Sequence, residues 1–366
     1  MVPHWRIPTG PAQLALAMLA MPALALTGCA STDTARMSQP ENISARHTIQ
    51  SSGQTLTSLP TTQADWKPVA DALGRTGSLM GGTVYRVPLP RKDLTVATKG
   101  VTIKPGLSLG GYATFAKYRD GAMLMGDLVV TEDELPKVTD ALQKAGIEQT
   151  GLHKHLLQQS PAIWWTHIHG MGDPAALARG LKAALAITGI PPASPPPATQ
   201  PAVDLDTAAI DTALGRKGTA DGGIYKFTIA RRGTVTEGRH VLPPALGITT
   251  AINFQPLGGH KAAINGDFVM TASEIQHVIQ ALRRGSIGIV ELHNHSLDEQ
   301  PRLFYMHFWA TGDGARLARA LRPALNATAL TPPTRIPLAH TPTPTHILPP
   351  APTHTHSHTH PNTIGK

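Results

Sequence analysis

Cysteine is nearly absent from this chain, whose 366 residues include a single one, Cys29. One thiol cannot form a disulfide within the chain or a metal site made of several thiolates, so both are excluded. Aromatic residues account for only 4% of the sequence, and the basic residues are scattered rather than clustered between aromatics. The chain lacks the pattern of a nucleic-acid-binding protein, and we expect no nucleic-acid partner.

Residues 1–28 have the pattern of a secretory signal peptide. Arg6 lies in a segment without acidic residues, and the apolar run that follows is too short to span a membrane as a mature helix. The run ends in LTGC at Leu26–Cys29, which resembles a bacterial lipobox. We predict that Cys29 is lipidated; the alternative is an ordinary signal peptide with a chance cysteine. A lipid on Cys29 would anchor the protein to a membrane of the bacterial cell envelope.

Composition divides the remaining chain into five segments. Residues 29–63 are rich in Ser, Thr and Gln and are predicted to form a flexible tether. Residues 190–203 form a Pro-rich linker, and residues 332–366 form a Pro-, Thr- and His-rich tail that cannot bury a core. The two stretches between them, 64–189 and 204–331, each have the size of a domain.

The tail carries a run of alternating histidines. They are separated by Thr or Ser, so an extended chain would present them on one side: His354, His356, His358 and His360. Such a segment is able to chelate Zn, Cu or Ni through neutral imidazoles. The alternative is a low-complexity segment without a ligand.

The two domain-sized stretches are copies of one another. MGDLVVTEDEL begins at Met125 and NGDFVMTASEI at Asn265, while LHKH begins at Leu152 and LHNH at Leu292. LGRTG and LGRKG stand near the starts of the two stretches. Two repeats are too few for a solenoid, so we expect a pseudo-dimer of domains.

Each copy contains both strand and helix patterns. VYRVPLP at Val84 alternates in hydrophobicity, as a strand does. Thr131 and Glu134 have the spacing of a capping box ahead of a helix, and Thr271 and Glu274 repeat it. A final helix is predicted after the N-capping residues Asp173 and Asp313. The predicted fold class is α+β, with two tandem homologous domains that each form an antiparallel sheet with two helices.

Two His-x-His pairs stand on either side of Pro161 in the first copy. Residues two apart on a strand share a face, so each pair presents both imidazoles on one side. A hairpin symmetric about Pro161 would place His153 opposite His169 and His155 opposite His167, with Cβ atoms about 4.5–5.5 Å apart. Four imidazoles at that spacing suit one tetrahedral metal ion.

The second copy repeats three of the four histidines and has Trp309 at the fourth position. The predicted metal ligands are therefore His153, His155, His167, His169, His293, His295 and His307. Each domain would hold its own site for Zn, Cu, Ni or Fe. The alternative is a set of strand histidines that only hydrogen-bond to the backbone.

Carboxylates near the second histidine set suggest a role in catalysis. Three histidines with a carboxylate or water form the ligand set of an open catalytic metal site, and Glu291 and Glu299 are the nearest carboxylates. The spacing of His293, His295 and Glu299 also weakly resembles the first metal motif of cupins. Further candidates are two aspartates in strand segments, where Asp is disfavoured, which would bind metal or orient a histidine: Asp127 and Asp267.

The motifs together resemble the LppY/LpqO lipoprotein family. The features that carry the resemblance are the LTGC lipobox and, within residues 64–330, MGDLVVTEDE, LHKHLLQQSP, LHNHSLDEQPRLFYMHFWA and the duplication itself. It implies an envelope lipoprotein with two tandem domains of unknown function, and it implies no reaction. The first copy departs from the LHNH motif at Lys154.

Three functions fit these observations. The first is an envelope-anchored protein that binds a transition metal through the hairpin histidines. The second is a metal-dependent hydrolase or oxidase of an envelope component, with Glu299 or Glu291 as general base or fourth ligand. The third is a scaffold or a module that binds an envelope small molecule or glycan without metal. In all three, the membrane is contacted through Cys29.

Overall fold

The computed structural model describes residues 54–193, 199–332 and 365. The predicted signal peptide, Cys29 and the histidines of the tail lie outside these ranges, as do the predictions made for them. None of the helices within the described ranges combines the length and the apolar character needed to cross a membrane.

The first copy begins with a short helix whose end explains the LGRTG motif. Gly74 follows this helix with a φ of 67°, a left-handed conformation that residues with a side chain rarely adopt. The elements of the copy are, in chain order, α1 (Lys67–Leu73), β1 (Ser78–Met80), β2 (Val84–Pro90), β3 (Val96–Thr98), β4 (Val101–Ile103), α2 (Pro105–Ser108), β5 (Gly110–Tyr118), β6 (Gly121–Thr131), α3 (Leu135–Lys144), β7 (Glu148–His153), β8 (Ile163–Gly172) and α4 (Pro174–Leu185).

The second copy repeats this order with two differences: a three-residue 3-10 helix at Pro244–Leu246 stands in place of α2, and a short strand, β16, is added. The same glycine ends its first helix, where Gly215 has a φ of 62°. Its elements are α5 (Thr207–Leu214), β9 (Thr219–Asp221), β10 (Ile224–Ala230), β11 (Thr236–Glu237), β12 (His240–Val241), β13 (Thr249–Gly258), β14 (Lys261–Met270), α6 (Ala272–Arg284), β15 (Gly288–His293), β16 (Glu299–Gln300), β17 (Phe304–Asp313) and α7 (Gly314–Asn326).

Each copy is built on one six-stranded antiparallel sheet. The strand order is β1-β2-β5-β6-β8-β7 in the first copy and β9-β10-β13-β14-β17-β15 in the second. β11, β12 and β16 form a separate three-stranded sheet, and β3 pairs with β4. The predicted α+β fold with two repeated domains is confirmed. Each copy also has a short helix, α1 or α5, before its first strand.

The alternation of side chains gives each sheet two apolar faces. In the first copy, Leu124, Leu128 and Ile168 pack with Leu177 and Leu181 of α4 in one core. Residues on the opposite face, such as Met123 and Trp165, instead join clusters that contain residues of the second copy. The helices therefore cover one face of the sheet, and the other copy covers the opposite face.

The predicted helix starts are seen with one difference. In α6, Thr271 is the N-cap and Glu274 completes a capping box. In the first copy the same hydrogen bonds join Thr131 and Glu134, but α3 begins only after them, at Leu135. The predicted N-caps of the final helices are confirmed, since each aspartate accepts a hydrogen bond from a backbone N–H of the first turn: Asp173 and Asp313.

Candidate metal centre

Six histidines from the two copies form one buried cluster between the sheets. His153 ends β7, and His155 lies two residues beyond it. His167 lies in β8, the strand that pairs with the edge strand β7. The second copy contributes the equivalent residues from β15, the following loop and β17: His293, His295 and His307. The sequence predicts one site in each domain, whereas the structure brings the histidines together in one shared cluster, because the histidine faces of the two copies lie against each other.

The rings are arranged with approximate two-fold symmetry. His153 and its equivalent His293 stack at the centre, with ring centroids 3.9 Å apart and planes at 9°. On one side His155 lies 3.9 Å from His307, and on the other His295 lies 3.8 Å from His167. Each outer pair therefore combines one ring from each copy.

Two backbone carbonyls orient the strand histidines. Nδ1 of His167 lies 3.3 Å from the Gly126 carbonyl, and Nδ1 of His307 lies 2.8 Å from the Gly266 carbonyl. A carbonyl only accepts, so Nδ1 must carry the proton and Nε2 must carry the lone pair. Nε2 of both rings is buried without a hydrogen-bond partner. This is the arrangement in which a histidine presents Nε2 to a metal ion.

The glycines of the MGD and NGD motifs permit this arrangement. A Cβ at Gly126 would lie 2.6 Å from the Tyr112 carbonyl oxygen, and a Cβ at Gly266 would lie 2.1 Å from that of Ala251. Both distances are far shorter than a van der Waals contact. A side chain at either position would push the strand that supplies the carbonyl away from its other neighbour, β6 from β5 in the first copy and β14 from β13 in the second.

The aspartates of the same motifs contact the cluster. Oδ2 of Asp127 lies 3.3 Å from Nε2 of His155, and Oδ2 of Asp267 lies 3.1 Å from Nε2 of His295. The other oxygen of each carboxyl is buried and has no hydrogen-bond partner. Burial raises the pKa of Asp127 to about 6 and that of Asp267 to about 7. Both were predicted to be ligands or histidine orienters, and they lie where either role is possible.

Burial keeps the imidazoles in the neutral form. It lowers the pKa of all six rings, to about 3 for His295 and His307, because a protonated ring is poorly solvated in this interior. Neutral imidazole is the form that binds metal. Besides Nε2 of His167 and His307, buried nitrogens without a partner are Nδ1 of His153 and both nitrogens of His293.

Three overlapping groups of side chains have ligand atoms close enough to hold one metal ion, all within 4.8 Å of one another. One combines His153 and His155 with His307, and another combines His153 and His167 with His293. Both therefore take ligands from the two copies. The third consists of residues of the second copy alone: Asp267, His293 and His295.

A cavity of about 380 Å³ reaches the cluster. Its walls include His155, His167, His295 and His307, together with Asp127 and Asp267. Both copies contribute further lining residues, among them Arg86, Tyr112 and Lys226. The cluster is thus buried from bulk water and still borders a space that a small molecule would fill.

The predicted hairpin register is wrong. β7 and β8 do pair, but His153 lies opposite Trp165, Gly151 opposite His167 and Glu148 opposite His169. A bulge after Gln149 shifts the register, and β7 ends at His153. The residues around Pro161 do not form a tight turn, because the backbone of the loop pairs with β3 through Ser160 and Ala97.

His169 does not join the cluster. Its Nδ1 lies 3.3 Å from Glu148, and its Nε2 lies 3.3 Å from Glu237 of the second copy. Burial opposes protonation, but the hydrogen bonds and charges of the two glutamates outweigh it and raise the pKa of His169. Its contacts are those of a cationic link between the copies.

The two predicted catalytic glutamates lie outside the groups that could hold a metal. Glu299 is buried and accepts a hydrogen bond from the Leu303 backbone at 2.8 Å. Glu291 accepts a hydrogen bond from the Lys154 backbone at 2.7 Å and so joins the two copies. Within the described ranges, Asp127 and Asp267 are the carboxylates that contact the six histidines.

Comparison with known proteins finds a family and a distant likeness in solved structures. The profile of the Domain of Unknown Function (DUF1259) matches residues 67–187 and 208–327, one match in each copy. No curated protein matches the chain.

Two similar solved structures are microcompartment shell proteins. The trimeric shell protein PduB is 12% identical, with 69% of this chain and 89% of that chain covered and a TM-score of 0.18. A fused permuted hexameric shell protein from the RMM microcompartment is 12% identical, with 75% of this chain and 95% of that chain covered and a TM-score of 0.17. At these TM-scores the likeness supports no conclusion about fold or function.

Proposed function

This chain belongs to the DUF1259 family, and we propose that its two tandem domains together hold a transition-metal centre in the six-histidine cluster. The observation that carries the proposal is the convergence of buried ring nitrogens without partners from both copies. The six residues are His153, His155, His167, His293, His295 and His307.

The cost of burying unpaired polar atoms favours a ligand at this place. A buried polar group without a hydrogen bond costs about 1–3 kcal/mol. Five ring nitrogens of the cluster are buried in this way, on His153, His167, His293 and His307. A metal ion bound to several of them would remove the cost and use the neutral form that burial favours.

The donor set selects the class of metal. Imidazole nitrogen with carboxylate oxygen suits Zn, Cu, Ni or Fe, whereas Ca and Mg prefer oxygen ligands alone. The aspartates Asp127 and Asp267 are placed either to bind the ion or to orient His155 and His295.

Metal content of matched variants tests the proposal. In all proteins His354, His356, His358 and His360 are replaced by Ser, so that the tail does not contribute. We expect a stoichiometric ion in this parent chain, measured by inductively coupled plasma mass spectrometry. We expect loss of that ion in the double variant His153→Ala/His155→Ala and also in His293→Ala/His295→Ala, because both copies supply ligands.

The control and the alternatives are built into the same experiment. His277 is exposed on α6, so His277→Ala should retain the metal. Independent sites in each domain would leave half of the metal in each double variant. A parent chain that binds none of Zn, Cu, Ni or Fe would refute the proposal. Circular dichroism spectra and thermal melts of each variant show whether it is folded.

A second candidate, a metal-dependent hydrolase or oxidase of an envelope component, is favoured by the cavity that borders the cluster. Such an enzyme needs a coordination position that a substrate or water is able to reach. The protein loaded with Co²⁺ and titrated with azide would show a changed visible spectrum if that position exists. An unchanged spectrum at saturating azide would count against catalysis at the metal.

We propose, in addition, that the protein is a lipid-anchored lipoprotein of the bacterial cell envelope. The supporting observation is the LTGC sequence at Leu26–Cys29 after an apolar run, together with the resemblance to the LppY/LpqO family. Mass spectrometry of the mature N-terminus should find acylated Cys29, and Cys29→Ser should release the protein from the membrane fraction. An unmodified N-terminus elsewhere in the chain would refute the anchor.

A further inference from the structure

We infer that the cavity beside the histidine cluster binds a small anionic molecule, and that Arg86 holds its carboxylate or phosphate group. The inference builds on the proposed function, because it names the class of ligand that would meet the metal centre.

The two copies place a cation at equivalent points of the cavity wall. Arg86 lies on β2 between Tyr85 and Val87, and Lys226 lies on β10 between Tyr225 and Phe227. Both side chains line the cavity. The pseudo-symmetric site therefore has two positive groups. They differ in whether a nearby carboxylate neutralises their charge.

Only one of the two cations has a carboxylate partner. Nζ of Lys226 lies 2.6 Å from Asp221 on the neighbouring strand β9. The strand pairing places Met80 at the position equivalent to Asp221, since Met80 pairs with Val84 and Asp221 pairs with Ile224. A methionine cannot neutralise Arg86, and Arg86 forms no salt bridge within the described part of the chain.

The surroundings of Arg86 are those of a preorganised anion site. Its guanidinium lies 3.7 Å from the centre of the Tyr112 ring, which holds the group in place over an aromatic face. Burial lowers the pKa of Arg86, with partial compensation from Tyr112 and from the more distant Asp127. A half-buried guanidinium without an ion partner is stabilised by binding an oxyanion, because it donates two parallel, charge-assisted hydrogen bonds to it.

The remaining lining fits a small polar molecule. Oγ of Ser108 is buried without a hydrogen-bond partner, and Ser108 lines the cavity with Thr228, Asn253 and Asn265. A volume of about 380 Å³ is at the lower end of small-ligand sites. The carboxyls of Asp127 and Asp267 face His155 and His295, and a bound metal ion would offset their negative charge.

Isothermal titration calorimetry with simple probes tests the inference. The full chain with the tail substitutions is titrated with malonate, inorganic phosphate and neutral malonamide at constant ionic strength, before and after loading with Zn²⁺. We expect one of the anions to bind, and malonamide not to bind. Malonate against phosphate separates a carboxylate ligand from a phosphate ligand.

Variants assign the binding to Arg86. We expect Arg86→Met to weaken anion binding by about tenfold or more, and Arg86→Lys to fall between it and the unchanged chain, because lysine keeps the charge and loses the paired donors. Lys226→Met should have the smaller effect, since Asp221 already neutralises Lys226. The exposed Arg232 serves as control, and Arg232→Met should bind like the unchanged chain.

The outcomes separate this inference from the metal proposal. Metal content is measured on the same samples. Metal binding without Arg86-dependent anion binding would overturn the inference and leave the metal centre in place. Arg86-dependent anion binding in protein that holds no metal even after loading would support the anion site and refute the metal centre. Equal affinity of the unchanged chain and Arg86→Met, with Arg86→Lys also unchanged, would overturn the inference.

Discussion

At the scale of single residues, the site depends on two strand positions that have no side chain. Gly126 and Gly266 lie in the middle of long strands, where glycine is unfavourable unless the backbone needs the space. Each places its carbonyl against Nδ1 of a histidine in the next strand. The sequence shows the glycine and aspartate as a repeated pair, but the contact of that carbonyl with His167 or His307 joins strands far apart in the chain.

Gly266→Ala should therefore damage both the fold and the metal centre. The new Cβ would lie 2.1 Å from the Ala251 carbonyl oxygen, so the strands must separate. We expect a loss of about 2 kcal/mol or more in the free energy of unfolding by urea, together with reduced metal content. Gly110→Ala is the matched control, because its Cβ would meet only an ordinary contact at 3.6 Å. Equal behaviour of the two variants would contradict this account.

The metal-free protein should lose stability in acid. Burial lowers the pKa of the six histidines, so their neutral form stabilises the fold above the unfolded-state pKa near 6.5, and that contribution is lost as pH falls toward about 3. The raised pKa values of Asp127 and Asp267 act in the opposite direction, because their contribution is full below about 4 and is lost as pH rises toward 6 or 7. Because six histidines oppose two aspartates, the net effect is a loss of stability as the pH falls.

We expect the free energy of unfolding of the chelator-treated protein to fall by at least ~2 kcal/mol between pH 7 and pH 5. Urea denaturation at both pH values measures it. His153→Gln/His293→Gln should reduce the dependence, whereas the exposed His277→Gln should preserve it. A pH dependence that is unchanged in His153→Gln/His293→Gln would show that the cluster does not titrate in this way.

At the scale of elements, one glutamate in each copy fixes the start of a helix and an arginine at the same time. Glu274 accepts hydrogen bonds from the Thr271 backbone at 2.7 Å and from Arg231 at 2.6 Å. Glu134 bonds in the same way to Thr131 and to Arg91, whose side chain is only 1% exposed. The sequence shows the capping box because its residues are three apart. It does not show the arginine, which lies 43 residues away from the glutamate.

Glu134→Ala should be strongly destabilising for this reason. It removes the cap and leaves the buried guanidinium of Arg91 with only Asp93 as an ionic partner. Removing one member of a buried pair costs about 3–5 kcal/mol; we expect the lower end of that range because Asp93 remains. Urea unfolding measures the change, and Asp133→Ala, at the exposed neighbouring position, is the control. A loss below about 1 kcal/mol, the size of a cap alone, would show that the ion pair adds little.

At the scale of the whole molecule, the two copies pack as one compact unit, and backbone groups of one copy bond to side chains of the other. Asn294 donates to the Thr150 carbonyl at 2.6 Å, and Asn265 donates to the His155 carbonyl at 2.8 Å. A metal ion held by residues of both copies would strengthen the same interface. Binding to the folded state alone raises stability by about 2.7 kcal/mol at 100 times the dissociation constant.

Metal should therefore stabilise both copies together. We expect a single unfolding transition in differential scanning calorimetry that moves to higher temperature with Zn²⁺ and back with chelator. His153→Ala/His155→Ala should remove the shift entirely, although it alters only the first copy. Two separated transitions, with only one of them sensitive to metal, would instead indicate an independent site in one domain.

The sequence by itself determined the local features of this protein. Repetition revealed the two copies, alternation and capping residues predicted an α+β fold, and six of the seven candidate histidines lie in the cluster. The tertiary structure decided that the cluster is shared, that Asp127 and Asp267 contact it, and that His169 pairs instead with Glu148 and Glu237. Periodicity shows which side chains share a face of a strand. It carries no information about which surface covers that face or how a bulge shifts the register, because both depend on packing between residues far apart in the chain.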